Sequence, residues 1–190
     1  MSDRAPFPFV RWLARSRAAD RRARRWLGAA AAGATLVGLS AALDFGVRPA
    51  PRLVWNASAS APVGLWRIDP RAPFRVGDMV LASPPASVRR LAAERRYLPM
   101  NVPLLKRVAA ADGDLVCALG PWIYVNARLV ATRREADRLG RPLPWWRGCR
   151  RLKNGAVLLL MDAPDSFDGR YFGPVPRAAV IGKATPLWLR

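Results

Sequence analysis

The chain contains no histidine. That removes the Ser-His-Asp triad, the Cys-His pair and every metal site that relies on imidazole. A hydroxyl nucleophile in such a chain needs another base, and Ser–Lys is an established solution. Lysine works as a base only when desolvation pulls its pKa down by several units, so it should sit in an apolar strand. Only three lysines occur, against 29 arginines. Lys106 fits, following Val102-Pro103-Leu104-Leu105 and preceding Arg107-Val108. Lys153 falls in the polar turn Arg150-Arg151-Leu152-Lys153-Asn154-Gly155 and should be solvated, while Lys183, in a short run near the C-terminus, is the weaker rival. The plain alternative for Lys106 is a partly exposed strand residue, the usual state of a lone lysine.

The partner hydroxyl is sought where small side chains leave it open. Asn56-Ala57-Ser58-Ala59-Ser60-Ala61-Pro62-Val63-Gly64-Leu65-Trp66 carries two serines alternating with alanines ahead of a proline and a glycine. A nucleophile on a turn needs that openness, and nearby backbone N–H groups can serve an oxyanion. The same composition also describes an ordinary loop. Two cysteines, Cys117 and Cys149, lack CxxC spacing, so a structural zinc site is not expected either; no metal and no cofactor is expected.

These residues need a scaffold, and 52% apolar residues supply ample core for one. From about residue 50 the texture is short β-type runs: Gly64–Ile68, Met79–Ala82, Leu104–Val108, Leu115–Ala118, Trp122–Val125, Ala156–Met161, Tyr171–Phe172 and Ala179–Ala184. Gly77-Asp78, Asp112-Gly113-Asp114, Lys153-Asn154-Gly155 and Asp168-Gly169 mark turns between them. Asn126-Ala127-Arg128 reads as a tight hairpin, and residues 86–96 as a helix. The pattern predicts a mostly β domain, sandwich- or barrel-like.

Ahead of it, residues 1–26 form a basic arm with eight arginines against Asp3 and Asp20, followed by the uncharged, Ala- and Gly-rich stretch Leu27–Leu43. A span needs about 17–25 such residues. Trp26 and Phe45 flank the stretch as interfacial aromatics would. The arm is too long for a signal-peptide n-region, and a buried soluble helix would leave the charge asymmetry unexplained. Residues 27–43 are therefore expected to be an uncleaved, single-pass anchor. The arginine arm then stays in the cytoplasm, and residues 44–190 cross to the periplasmic face of a bacterial inner membrane. In that oxidising space Cys117 and Cys149 should pair as a disulfide, the alternative being two buried thiols.

Three boxes then fall in order. Ser58-Ala59-Ser60-Ala61-Pro62 resembles the nucleophile box of type I signal peptidases, a serine followed closely by proline. Leu105-Lys106-Arg107-Val108 followed by Gly113-Asp114-Leu115-Val116 resembles their lysine box, and Ser166-Phe167-Asp168-Gly169-Arg170 with Gly173 their Ser-x-Asp-x-Arg-x-x-Gly box. The resemblance spans about residues 50–185 and is to the signal-peptidase-like serine peptidases of family S26. The form Asn56…Ser60-Ala61-Pro62-Val63-Gly64-Leu65-Trp66 is most similar to the TraF-type branch, encoded with conjugative transfer systems. Where many relatives carry Met after the serine, this chain has Ala61.

The resemblance implies a signal-peptidase-like β domain and a set of roles. Ser60 is the nucleophile and Lys106 the base. The Ser60 N–H and the Ser58 hydroxyl serve the oxyanion, and Ser166 orients the lysine amine. Asp168 and Arg170 are a supporting ion pair, or equally a structural surface pair. The substrate would be a precursor polypeptide, with membrane lipid and conjugation or secretion machinery as further partners. Maturation of pilin, in some systems with cyclisation, is the branch's role. Trp145-Trp146 is the candidate apolar docking face, with hairpin packing as the alternative.

Two rivals remain at this level. One is a general signal peptidase acting on many precursors. The other, from a different class, is a non-catalytic tethered protein binding DNA or a secretion channel. Its support is charge: the whole chain carries +19, and residues 44–190 alone carry 24 basic against 11 acidic residues. The basic residues are scattered and form no nucleic-acid motif, so no nucleic acid is predicted as partner.

Overall fold

Alternation decides the architecture, because each short run must bury one face or both against a neighbour. The computed structural model describes Arg24, residues 26–36 and residues 50–190. The chain divides into two units, Met1–Pro49 and Ala50–Arg190. In the first, residues 26–36 are helical and exposed throughout (α1). Among the described residues no helix is long and apolar enough to cross a membrane. The remainder of the expected anchor, residues 37–43, and all of the basic arm except Arg24 and Trp26 lie outside the described residues.

The second unit is mostly β, as expected. Strands β1 (Leu53–Asn56), β2 (Gly64–Asp69), β3 (Met79–Ala82), β4 (Leu104–Ala110), β9 (Leu158–Leu160) and β10 (Val180–Leu189) form one antiparallel sheet in the order β1-β2-β10-β3-β4-β9. Strands β5 (Leu115–Leu119), β6 (Trp122–Val125), β7 (Arg128–Thr132) and β8 (Gly148–Arg151) form a second, in the order β7-β6-β5-β8. Both faces of the larger sheet are covered. On β3, Leu81 packs with Trp66, Ile68 and Leu105, whereas its neighbours Val80 and Ala82 pack on the other side with Val108, Leu159 and Val175. Leu158 and Leu160 of β9 meet Val116, Ala118 and Ile123 of the smaller sheet, which joins the two sheets through one core.

Turn chemistry was legible residue by residue. Asn126 and Ala127 both take positive φ, 49° and 64°, the left-handed pair that a two-residue hairpin between β6 and β7 requires. Helix α2 covers Ala86–Glu94. One expected strand is wrong: Tyr171–Phe172 lies in a short helix, α3 (Gly169–Phe172). The aromatic pair has strand propensity, but Asp168 caps the helix by accepting from the Arg170 N–H, and a tight backbone approach forces the turn. A Cβ at Gly169 would stand 2.7 Å from the Leu159 carbonyl oxygen, so only glycine fits there.

Candidate active site

Lys106 is placed by sheet pairing. It lies mid-β4, opposite Val80 of β3, and so points to the same side as Val80 and Val108. Only 2% of its surface is exposed. Desolvation pulls its amine down to about 8, partly offset by the Asp168 carboxylate, which raises it; the Arg170 guanidinium lowers it further. Nζ donates to Ser60 Oγ at 2.9 Å and to Ser166 Oγ at 2.8 Å. The other lysines behave as their surroundings predict: Lys153 is exposed, and Lys183 pairs with Asp78 at 2.9 Å.

Ser60 sits in the loop between β1 and β2. Ala61 anchors this loop by burying its methyl in the core beside Trp66, whose indole N–H donates to the Pro62 carbonyl at 3.2 Å. At the loop's far end a Cβ on Gly64 would meet the Trp188 carbonyl oxygen at 2.1 Å, so this position, with φ of 150°, admits glycine alone. Ser58 Oγ lies 3.0 Å from Ser60 Oγ and accepts a long hydrogen bond, 3.4 Å, from the Ser60 N–H. The Ser58 hydroxyl and the Ser60 N–H thus converge beside the candidate nucleophile, where an oxyanion would form.

Ser166, 1% exposed, is carried by the segment between β9 and α3. Asp168 and Arg170 brace it. Their pair is fully buried, at 0% and 2% exposure, so the surface-pair alternative does not hold. Asp168 accepts from Arg170 Nε at 2.8 Å and from the Met161 N–H at 3.0 Å. Arg170 in turn donates to the Met161, Pro164 and Thr132 carbonyls. Every polar atom of the pair's heads therefore has a partner, the condition under which a buried ion pair is tolerated.

Ser58, Ser60, Lys106 and Ser166 line a cleft of about 500 Å³ that also includes Leu104, Tyr97, Phe167 and Tyr171. A hairpin around residues 135–143 forms part of its wall, closed by the Ala136–Pro142 bridge and the Leu143 N–H to Glu135 carbonyl bond. Asp137 organises the hairpin tip, accepting from the Leu139 and Arg141 N–H groups and pairing with Arg141 Nε at 2.7 Å. It also accepts from the Tyr97 hydroxyl.

The sequence did not point to Asp137, because its Tyr97 partner lies 40 residues away. Asn56 appeared only as a motif letter; it is in fact buried beneath the serine loop. Arg133 was missed as well. It is buried and held by the Gly120, Trp146 and Arg170 carbonyls.

The remaining expectations concern the periphery. Cys117 and Cys149 are cross-strand partners on β5 and β8 and are joined by a disulfide with an S–S distance of 2.03 Å. Trp145 and Trp146 are half-buried, not a free face. Their indole N–H groups donate to the Arg134 and Gly169 carbonyls, and Arg133 and Arg150 stack on their rings. Hairpin packing explains them. Among the described residues, the exposed aromatics include the stacked pair Trp55 and Trp188, together with Trp26 and Trp122. Among the described residues no group of acidic residues or cysteines could hold a metal ion.

Comparison with known proteins identifies the family to which the chain belongs. The family described as signal peptidase, peptidase S26, matches residues 24–189. A plasmid transfer protein TraF of Escherichia coli is 38% identical over 144 residues, covering 70% of this chain and 80% of that protein. A second TraF from Escherichia coli is 36% identical over 161 residues, 79% of this chain and 90% of its relative. The conjugal transfer protein TraF of Agrobacterium fabrum is 32% identical over 178 residues, 86% of this chain and 94% of the other. The chain belongs to the S26 signal peptidase family, in its TraF-type branch.

Proposed function

We propose that this chain is a membrane-bound serine endopeptidase that uses a Ser60–Lys106 dyad to process a pilin precursor in conjugative transfer. The observation that carries it is the 2.9 Å contact between a buried lysine amine and an exposed-loop hydroxyl, in a histidine-free chain. Neutral Lys106 takes the proton from Ser60 as its Oγ attacks the scissile carbonyl. The Ser60 N–H and the Ser58 hydroxyl stabilise the oxyanion, one such donor being worth about 2.7–4 kcal/mol. The lysine then returns the proton to the leaving amine. Water, or an amine of the precursor itself where the product is cyclic, resolves the acyl-enzyme.

The conjugative role comes from the names of the TraF relatives, which are plasmid and conjugal transfer proteins. The Leu27–Leu43 stretch is the proposed anchor, holding the catalytic unit at the periplasmic face, and the Cys117–Cys149 bridge fits an oxidising compartment. The scaffold alternative gains nothing from the geometry, since a DNA-binding or channel-binding protein has no use for a desolvated lysine beside a serine.

The test is processing of a co-expressed pilin precursor in membranes by wild type, Ser60→Ala and Lys106→Ala. Wild type should cut and both variants should be inactive while folded and membrane-bound, and the product mass then separates hydrolysis from cyclisation. Wild-type-like processing by Ser60→Ala removes the dyad from the mechanism.

A further inference from the structure

The loop that presents Ser60 contains almost no regular backbone pairing. β1 ends at Asn56 and β2 begins at its cross-strand partner Gly64, so residues 57–63 need another source of hydrogen bonds. The Asn56 side chain, 9% exposed, supplies it. Nδ2 lies 3.0 Å from the carbonyls of Ser58, Ala61 and Pro62, its two N–H groups shared among the three, and Oδ1 accepts from the Ser58 N–H at 3.2 Å. Three carbonyls around one end of the amide and an N–H at the other leave a single self-consistent orientation of the group.

Asn56 grips Ser58 on both its N–H and its carbonyl, and Ser58 Oγ in turn meets the Oγ and N–H of Ser60. Lys106 approaches from the opposite side on β4, fixed by pairing with β3 and by Ser166. The dyad distance is therefore set by two independent holds, one on each residue. No other side chain can replace the first. Aspartate has the shape but no donors, glutamine is a methylene too long, and serine or threonine has one donor for three acceptors.

We propose that Asn56 is a positioning residue for the peptidase reaction: its carboxamide fastens the 57–62 loop so that Ser60 Oγ faces Lys106 and the Ser58 hydroxyl stays beside it. This builds on the Ser60–Lys106 reading above. Asn56 touches neither substrate nor dyad and acts through Ser58 and the loop backbone. Its loss should lower the rate of acylation and leave precursor binding, which the cleft walls govern, in place.

The experiment measures single-turnover processing of the pilin precursor by the full chain in detergent-solubilised membranes, over a range of enzyme concentrations in excess of precursor. Wild type, Ser60→Ala, Asn56→Asp, Asn56→Ala and a remote core variant, Val116→Ala, are compared, with the folded fraction taken from circular dichroism. Asn56→Asp should lose about 100-fold in maximal rate per folded molecule with half-saturation within threefold of wild type, as expected when only transition-state geometry is lost. The pH midpoint of the residual activity of Asn56→Ala, which adds no charge, should match that of wild type, because Lys106 keeps its burial. Val116→Ala should keep the wild-type rate per folded molecule. Asn56→Asp rates within threefold of wild type, or losses in both Asn56 variants that merely track unfolding as in Val116→Ala, overturn the proposal. A pH midpoint of Asn56→Ala moved toward that of free lysine also overturns it, since the substitution would then be opening the site. Equal processing by wild type and Ser60→Ala is a different failure, of the dyad itself, and takes the positioning role with it.

Discussion

Lys106 Nζ lies 2.9 Å from Ser60 Oγ while only 2% of the lysine reaches solvent. In the proposed dyad the contact and the burial act together: burial makes the amine available as a neutral base, and the contact puts that base on the proton to be moved.

Activity should therefore follow deprotonation of an amine titrating near 8. Below that pH the rate should fall about tenfold per pH unit, because only the neutral fraction of Lys106 can accept the proton. Processing rates measured from pH 6 to pH 10 should rise and level off. A profile flat between pH 6 and pH 8 contradicts lysine as the base.

The same burial costs stability. The folded-state amine titrates near 8 against 10.5 for free lysine, so the unfolded chain binds the extra proton between those values. Stability from this group is then greatest above pH 10.5, declines as pH falls toward 8, and stays lowest below that. The penalty at pH 6 is on the order of 3 kcal/mol. Lys106→Met should abolish processing yet gain in melting temperature relative to wild type on going from pH 10 to pH 6. Equal differences in melting temperature at both pH values, by calorimetry, would count against a depressed amine.

The buried pair of Asp168 and Arg170 makes a prediction with two signs. Asp168 raises the Lys106 pKa and Arg170 lowers it. In whatever fraction folds, Asp168→Asn should move the pH midpoint of processing to the acid side, and Arg170→Gln to the alkaline side. Each substitution strands the other partner in a site with 0–2% exposure and should cost roughly 3–5 kcal/mol in urea unfolding. Shifts in the same direction would mean that the pair acts on the loop around Ser166 and not through charge.

How far these features were legible before the fold depends on how local their causes are. The hairpin at Asn126-Ala127 is written in two residues, and Lys106 stood out through the apolar neighbours that desolvate it. Strands β1 and β8 were not anticipated. Leu53–Asn56 is half exposed and held by pairing with β2, and Gly148–Arg151 is exposed along its length and held by β5 and a disulfide. Neither carries a buried apolar run. Tyr171–Phe172 misled for the opposite reason, since its propensity is real but a cap and a buried ion pair override it. The role of Asn56 lies in distances to three carbonyls, which no spacing encodes.

Asp137 gives the last test, on the wall of the cleft. Desolvation pushes its carboxyl up, but hydrogen bonds from Tyr97, from the Arg141 backbone and guanidinium, and from Leu139 outweigh that and hold it well below the usual carboxylate range. A depressed folded-state pKa means that its contribution is present above the unfolded value near 3.8 and is lost as pH falls below it. Asp137→Asn removes the charge at every pH and weakens the tie between the hairpin and Tyr97, whose ring packs on Phe167 next to Ser166. The hairpin carries Arg138, with Arg134 just ahead of it, and Arg141 precedes Pro142 and resists trypsin, so opening of the hairpin is readable by limited trypsin digestion at Arg134 and Arg138. Cleavage within residues 134–141 should be several-fold faster in Asp137→Asn than in wild type at pH 8, with the melting temperature changed by only a few degrees. Identical digestion kinetics in the two proteins would show that backbone bonds alone close the hairpin and that the carboxylate is dispensable.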